Sequence, residues 1–189
     1  MDIRLMIQST PNPNALKFVL NIPVKTDGNF TYKKNGSTEH NPLAKSIFEI
    51  SPAINEVYFY DNYITVTQDG SADWDDLEEK IRSIILEKAK DHNPNFQVEE
   101  SKVESKVPVQ QSPEMEKINT ILDQTVRPAL QMDGGDIQLT SYENNVLRVF
   151  YQGACGSCPS SSMGTMKAIE NILRDQFNPD ISVELAEAF

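Results

Sequence analysis

Cysteine and histidine are scarce in this chain, with two of each among 189 residues. Two cysteines cannot build a disulfide framework, and two histidines add little toward a conventional four-ligand zinc site. Positive charge is also short: 17 basic side chains face 28 acidic ones, for a formal net charge of −11. Such a balance repels phosphate backbones and anionic headgroups, which sets nucleic acid and membrane surfaces aside as partners. No stretch approaches the ~18 consecutive apolar residues of a membrane span. The first residues, Met1-Asp2-Ile3-Arg4-Leu5-Met6-Ile7-Gln8, hold neither the basic flank and apolar run of a secretory signal nor the arginine content of a transit peptide. The compartment expected from this is a reducing cytoplasm, although an organelle protein already relieved of its transit peptide reads the same. What is present, 39% hydrophobic and 24% charged residues, suits an ordinary folded protein.

A composition shift divides the chain. Glu99 to Ser112 read EESKVESKVPVQQS, alternating in charge, with a proline and no large apolar cluster, as mobile linkers do. The expected organisation is α+β in two small domains, 1–98 and 113–189, joined by a flexible linker over 99–112. Both domains are acidic: ten basic against fourteen acidic side chains in 1–98, and five against eleven in 113–189. Neither therefore hides a basic module.

In the first domain, Ile3–Ile7 and Leu16–Leu20 are strand-like on either side of a Ser9-Thr10-Pro11-Asn12-Pro13-Asn14 turn. Pro42–Phe48 suits a short helix entered through proline. Val57–Tyr60 and Tyr63–Thr67 pair as a hairpin around Asp61-Asn62. A helix then carries Trp74, Leu77, Ile81, Ile84 and Ile85 at helical spacing behind a run of carboxylates, and is expected to end at Pro94. In the second domain, Ser112-Pro113-Glu114 has the cap, proline and acid of a helix start. Met115, Ile118, Ile121, Leu122, Val126, Ala129 and Leu130 form its buried stripe, and Asp133-Gly134-Gly135-Asp136 ends it. Ile137–Thr140 and Val146–Tyr151 are strands joined across Glu143-Asn144-Asn145. A second helix with Met163, Met166, Ile169, Ile172 and Leu173 leads to a last strand, Ile181–Leu185. The order is α-β-β-α-β, a three-stranded sheet backed by two helices.

Between the second strand and the second helix lies Gly153-Ala154-Cys155-Gly156-Ser157-Cys158-Pro159-Ser160, which holds both cysteines of the chain. At a helix start, unpaired N–H groups and the helix dipole favour thiolate over thiol. Thiolates at i and i+3 reach one metal centre, with Gly156 letting the chain curl between them. Soft thiolate suits iron–sulfur clusters, zinc or Cu(I). Clusters and tetrahedral zinc are both typically held by four ligands, and one chain offers two thiolates. Cys155 and Cys158 must either share a centre with a second copy, placing four cysteines on a two-fold axis, or leave positions open to exchangeable ligands. Three readings stay open on the residues alone. The pair carries a cluster between copies. Alternatively it exchanges thiol and disulfide, a chemistry that normally goes with a thioredoxin-like βαβ unit and is disfavoured by the two consecutive strands before the motif. Or it is two small buried side chains that happen to be three apart. Pro159 after Cys158 is not the histidine of covalent haem attachment.

Val126-Arg127-Pro128-Ala129-Leu130, then Asp133-Gly134-Gly135-Asp136-Ile137, then Gly153 to Ser161, resemble the C-terminal domain of NifU, the Nfu family, over roughly residues 114–189. Residues 3–98, with Thr10-Pro11-Asn12-Pro13-Asn14-Ala15-Leu16-Lys17-Phe18 and Pro42-Leu43-Ala44, are similar to the N-terminal domain that accompanies it in many Nfu proteins. The resemblance implies an iron–sulfur cluster scaffold or carrier rather than an enzyme. It implies a 4Fe–4S cluster, with 2Fe–2S as the smaller alternative, bridged between two subunits with Cys155 and Cys158 as ligands. The implied partners are upstream cluster-assembly proteins, recipient apo iron–sulfur proteins and, when cluster is bound, a second copy of the chain. One departure is visible: the family often has T-L-K-x-G-I-E after the motif, and here Thr165-Met166-Lys167-Ala168-Ile169-Glu170 places alanine at the glycine. That exchange stiffens the helix by up to ~1 kcal/mol and leaves the ligands alone. The first domain has no cysteine, so its expected role is recognition or modulation.

Other candidates read as structural. His40 and His92 lie near polar turns and are expected at the surface. Asp133-Gly134-Gly135-Asp136 could suggest a cation site, but a helix-ending turn accounts for its glycines. Asp69 to Glu79 lacks the ligand spacing and glycine of a calcium loop. Tyr58, Phe59, Tyr60 and Tyr63 are expected to pack on both hairpin faces, and an exposed subset would be a protein-binding patch. Ser160, Ser161 and Ser162 have no histidine partner for nucleophilic chemistry and suit helix capping.

Overall fold

The computed structural model describes residues 2–97, 112–156 and 161–186, with backbone alone at 161–163. Residues 99–111 of the expected linker, together with Cys158, Pro159 and Ser160, lie outside the described residues. The chain divides into two compact units, Met1–Val103 and Glu104–Phe189.

In the first unit, β1 (Leu5–Ser9), β2 (Ala15–Leu20), β3 (Lys25–Lys33), β4 (Ile54–Asp61) and β5 (Tyr63–Gln68) form one sheet in the order β1-β2-β5-β4-β3, antiparallel throughout. Helices α1 (Pro42–Ile50) and α2 (Trp74–Lys88) supply the apolar cover. α1 starts where proline needs no N–H partner, with Asn41 accepting from Ala44 N, and it buries Leu43, Ala44 and Ile47. α2 is capped by Asp73 and buries Leu77, Ile81 and Ile85. They meet Phe18, Val57, Phe59, Ile64 and Val66 in a single core. The β4–β5 hairpin closes over Asp61-Asn62, with Asp61 at φ 42° and Tyr60 opposite Tyr63.

Two expectations for this unit need correcting. β3 was not foreseen, because Lys25–Lys33 is polar, bulged after Lys25, and carries Gly28 at φ 65°. The second helix stops at Lys88 rather than reaching Pro94. The segment after it turns back along β3, where His92 Nε2 donates to Val24 O at 2.7 Å and Thr26 N donates to Pro94 O at 3.0 Å. Phe96 closes the core against Phe30, Tyr32 and Phe59. Each such buried ring is worth about 1.5–3 kcal/mol, more than the propensity of another helical turn.

In the second unit, α3 (Pro113–Thr125) and α4 (Arg127–Met132) precede β6 (Gly135–Glu143) and β7 (Val146–Gly153), and α5 (Ser161–Gln176) leads to β8 (Ser182–Leu185). Ser112 accepts from Met115 N and caps α3, as its sequence indicates. The expected single helix breaks at Val126, φ −105°, because Pro128 has no N–H to donate to the preceding turn. β6 and β7 pair antiparallel across Asn144-Asn145, whose φ values of 52° and 63° match the left-handed turn asparagine tolerates. Met115, Ile118 and Leu122 of α3 pack with Ile137, Leu139, Leu147, Val149, Ile169 and Leu173 as the core.

The sheet order is β6-β7-β8, and β8 pairs parallel to β7 with α5 crossing between them. The strand, helix and strand around the cysteine motif therefore do form a βαβ unit. The absence of such a unit no longer counts against thiol exchange.

Candidate functional site

β7 ends at Gly153, φ 61°, directly opposite Gly135, the first residue of β6. The chain then turns: Gly156 N donates to Gly153 O at 3.0 Å, and Ala154 N donates to Gly134 O at 3.2 Å. The second bond ties the cysteine turn to the loop that ends α4. Cys155 lies in this turn, outside any disulfide and 6% exposed, within the core cluster that also holds Ile137 and Tyr151.

The two glycines of Asp133-Gly134-Gly135-Asp136 do different work. Gly134 has φ 81° and donates to Gln131 O at 3.1 Å, as a helix-ending residue in left-handed conformation does. Gly135 is not among the positive-φ residues. A Cβ built on it would lie 2.5 Å from Cys155 Sγ, 2.9 Å from Cys155 Cβ and 2.7 Å from the Gln152 carbonyl oxygen. The Cys155 side chain thus occupies the space a side chain at 135 would need. A helix-ending turn accounts for Gly134 and not for Gly135, which corrects the sequence reading. The signal was there in the pair itself, since a helix end needs one glycine.

The neighbouring loop is anchored by charge. Arg127 Nε lies 3.3 Å from Asp136 Oδ1, and its Nη2 donates to Ile137 O at 3.1 Å and Asn119 Oδ1 at 2.7 Å. Asp123 also pairs with it. These bonds hold α3, α4 and the start of β6 together around Gly135. The pairing of Arg127 with Asp136 is not legible in the sequence, because only the fold brings the two together.

Tyr151 sits on β7 two positions before Gly153, and its hydroxyl is buried with no hydrogen-bond partner among the described residues. Burial pushes its ionisation well above the usual tyrosine range, and negative charge on Cys155 adds to the push. The phenol therefore stays protonated through the ordinary pH range. It too escaped sequence reasoning, where it was simply a strand residue.

Of the expected ligands, Cys155 is placed and Cys158 lies outside the described residues. Ser160 does too, whereas Ser161 and Ser162 open α5. Ala168, at the position of the departure from the family pattern, is exposed on α5. Among the described residues no three His, Cys, Asp or Glu side chains converge as a metal site. The soft thiol of Cys155 suits iron–sulfur, zinc or Cu(I) chemistry.

The remaining candidates resolve in the first unit. His40 is exposed, as expected, with Nε2 2.9 Å from the Tyr32 hydroxyl. His92 is half-buried rather than superficial, stacked on Phe59 at 5.7 Å. Tyr58, Phe59 and Tyr63 are buried, so they offer no exposed patch. Asp69 accepts from Ser71, and Asp73 caps α2. No helix among the described residues is long and apolar enough to cross a membrane.

Residues 5–92 match the family model for the scaffold protein Nfu/NifU N terminal, and residues 118–184 match that for the NifU-like domain. The chain is 31% identical over 171 residues to the NFU1 iron-sulfur cluster scaffold homolog, mitochondrial, of Drosophila persimilis, covering 90% of this chain and 60% of that protein. It is 30% identical over 171 residues to the protein of the same description in Drosophila ananassae, covering 90% and 59%. The chain thus spans about three fifths of the length of these relatives. Among solved structures, a NifU-like protein from Saccharomyces cerevisiae has 22% identity and a TM-score of 0.44, over 47% of this chain and 79% of its own.

Proposed function

This chain belongs to the Nfu/NifU-like scaffold family, and we propose that it carries an iron–sulfur cluster between two copies of itself and passes it to apo-proteins. The cluster, 4Fe–4S or the smaller 2Fe–2S, is cargo. Cys155 and Cys158 of each copy are its ligands. The observation that carries this reading is the donor count: the whole chain holds two cysteines, one of them placed at the turn between β7 and α5, where four thiolates are the usual ligand set. A site so incomplete in one chain suits a centre that is shared and then surrendered.

Transfer is ligand exchange. Each incoming thiolate of a recipient forms an Fe–S bond as Cys155 or Cys158 gives one up, with no net oxidation. The chain's role is therefore to hold and release, not to catalyse. The first unit, which has no cysteine, recognises partners: upstream cluster-assembly proteins or recipients. The compartment is a reducing one, the cytoplasm or an organelle interior such as the named relatives' mitochondrion.

Anaerobic reconstitution with iron and sulfide tests this. The expected product is a brown dimer with about four irons per two chains. Full cluster retention in Cys155→Ala or Cys158→Ala would overturn the reading. The β7–α5–β8 crossover supports a second reading, thiol–disulfide exchange by the same pair. Catalytic disulfide turnover by metal-free protein would favour it.

A further inference from the structure

The geometry points to a resting seat for the Cys155 thiol: Gly135 is a positioning residue whose missing side chain holds the thiol in the core while no cluster is bound. Cluster uptake then draws the thiol out. This inference rests on Cys155 being a cluster ligand.

The seat is defined by space rather than by backbone. Gly135 does not need glycine for its φ, since it is not in the left-handed region. It needs glycine because Cys155 Sγ and Cβ fill the place of its side chain, at 2.5 and 2.9 Å from a built Cβ. Gly153 lies opposite, so neither strand puts a side chain at this end of the pair. The next inward pair, Ile137 and Tyr151, belongs to the same core cluster as Cys155. The seat is therefore a notch at the end of the sheet, apolar on its inner side.

A seated thiol is not a presented one. At 6% exposure Cys155 cannot bridge to a second copy, whereas a shared cluster needs its sulfur outside. Two positions of one side chain follow, in the notch without cargo and out of it with cargo. In the notch the sulfur is shielded from oxidants, so this ligand survives until a cluster arrives.

Iodoacetamide pulses on the metal-free, reduced, full-length chain, with peptide mapping, test the seat. Cys155 should alkylate at least ~tenfold more slowly in the folded chain than in urea, as buried thiols do. Equal rates overturn the seat. Gly135→Ala puts a methyl in the notch, so a folded variant should expose Cys155 and raise its rate toward the urea value. A folded variant with Cys155 still protected overturns the role of Gly135. The new methyl also meets the Gln152 carbonyl at 2.7 Å; if the variant does not fold, the wild-type comparison decides alone. Reconstitution separates the two ideas: cluster uptake by a chain with unprotected Cys155 refutes only the seat, and protected Cys155 without any cluster uptake refutes the cluster reading.

Discussion

The Arg127 guanidinium lies 3.3 Å from the Asp136 carboxylate, with only 16% and 5% of the two side chains exposed. The pair fastens the α4–β6 junction immediately beside Gly135. Taking away one partner leaves the other charged and buried, which costs far more than an exposed ion pair is worth. Arg127→Met should therefore destabilise the second unit by about 3–5 kcal/mol. Hydrogen exchange of β6 and β7 amides reads this directly. A loss below about 1 kcal/mol would show that water reaches Asp136.

Tyr151 makes an opposite prediction. Its hydroxyl is buried without a partner, so Tyr151→Phe removes an unmet donor while keeping the ring. The variant should be neutral or more stable, by up to about 1–3 kcal/mol, in the same amide-exchange measurement. Its alkaline limb should also flatten. The folded chain holds the phenol neutral above its ordinary range. The unfolded chain therefore releases this proton first, and wild-type stability falls as pH rises above about 10. A clear loss of stability in the variant at pH 7 would mean the hydroxyl is bonded after all.

His92 sets the acid limb of the first unit. Burial holds its pKa below 6.5, partly offset by the bond to the Val24 carbonyl. The unfolded histidine thus takes up its proton first, so this stability is present above pH 6.5 and lost as pH falls below it. His40 shifts the same way by burial but is exposed, so its share is smaller. Trp74, the only tryptophan, is bonded to Pro13 O in the first unit and reports its unfolding. Urea midpoints followed by Trp74 should fall from pH 7 to pH 5 in wild type and less in His92→Gln. Parallel falls in both proteins would refute the assignment.

Much of the fold was legible where the signal is local. The Pro42 entry of α1, the Asp61-Asn62 and Asn144-Asn145 turns, and the Ser112 cap each act within a few residues, and each stands where its chemistry puts it. What was missed depends on distant partners. β3 shows little apolar alternation, because its edge position buries little beyond Lys25 and Tyr32. Residues after Lys88 could extend a helix until the Val24 and Thr26 bonds are counted. The parallel pairing of β7 with β8 is invisible before the crossover is built.

The site was legible in the same partial way. The cysteine spacing, and the shortfall of thiolates in one chain, follow from counting. The burial of Cys155 does not, since the space that receives it belongs to Gly135 on another strand. Nor does the Arg127–Asp136 pair, for its two partners lie on either side of a broken helix and a turn.

The segment that folds back along β3 decides where the first unit can be cut. The family model ends at residue 92, yet Pro94 still accepts from Thr26 and Phe96, 6% exposed, still covers three aromatic rings. Stripping such a ring from a core costs about 3–5 kcal/mol, a large part of a small domain's whole stability. A separable version of this unit must accordingly run to Gln97 or beyond. The physical edge of the domain and the edge of its family pattern are two different residues.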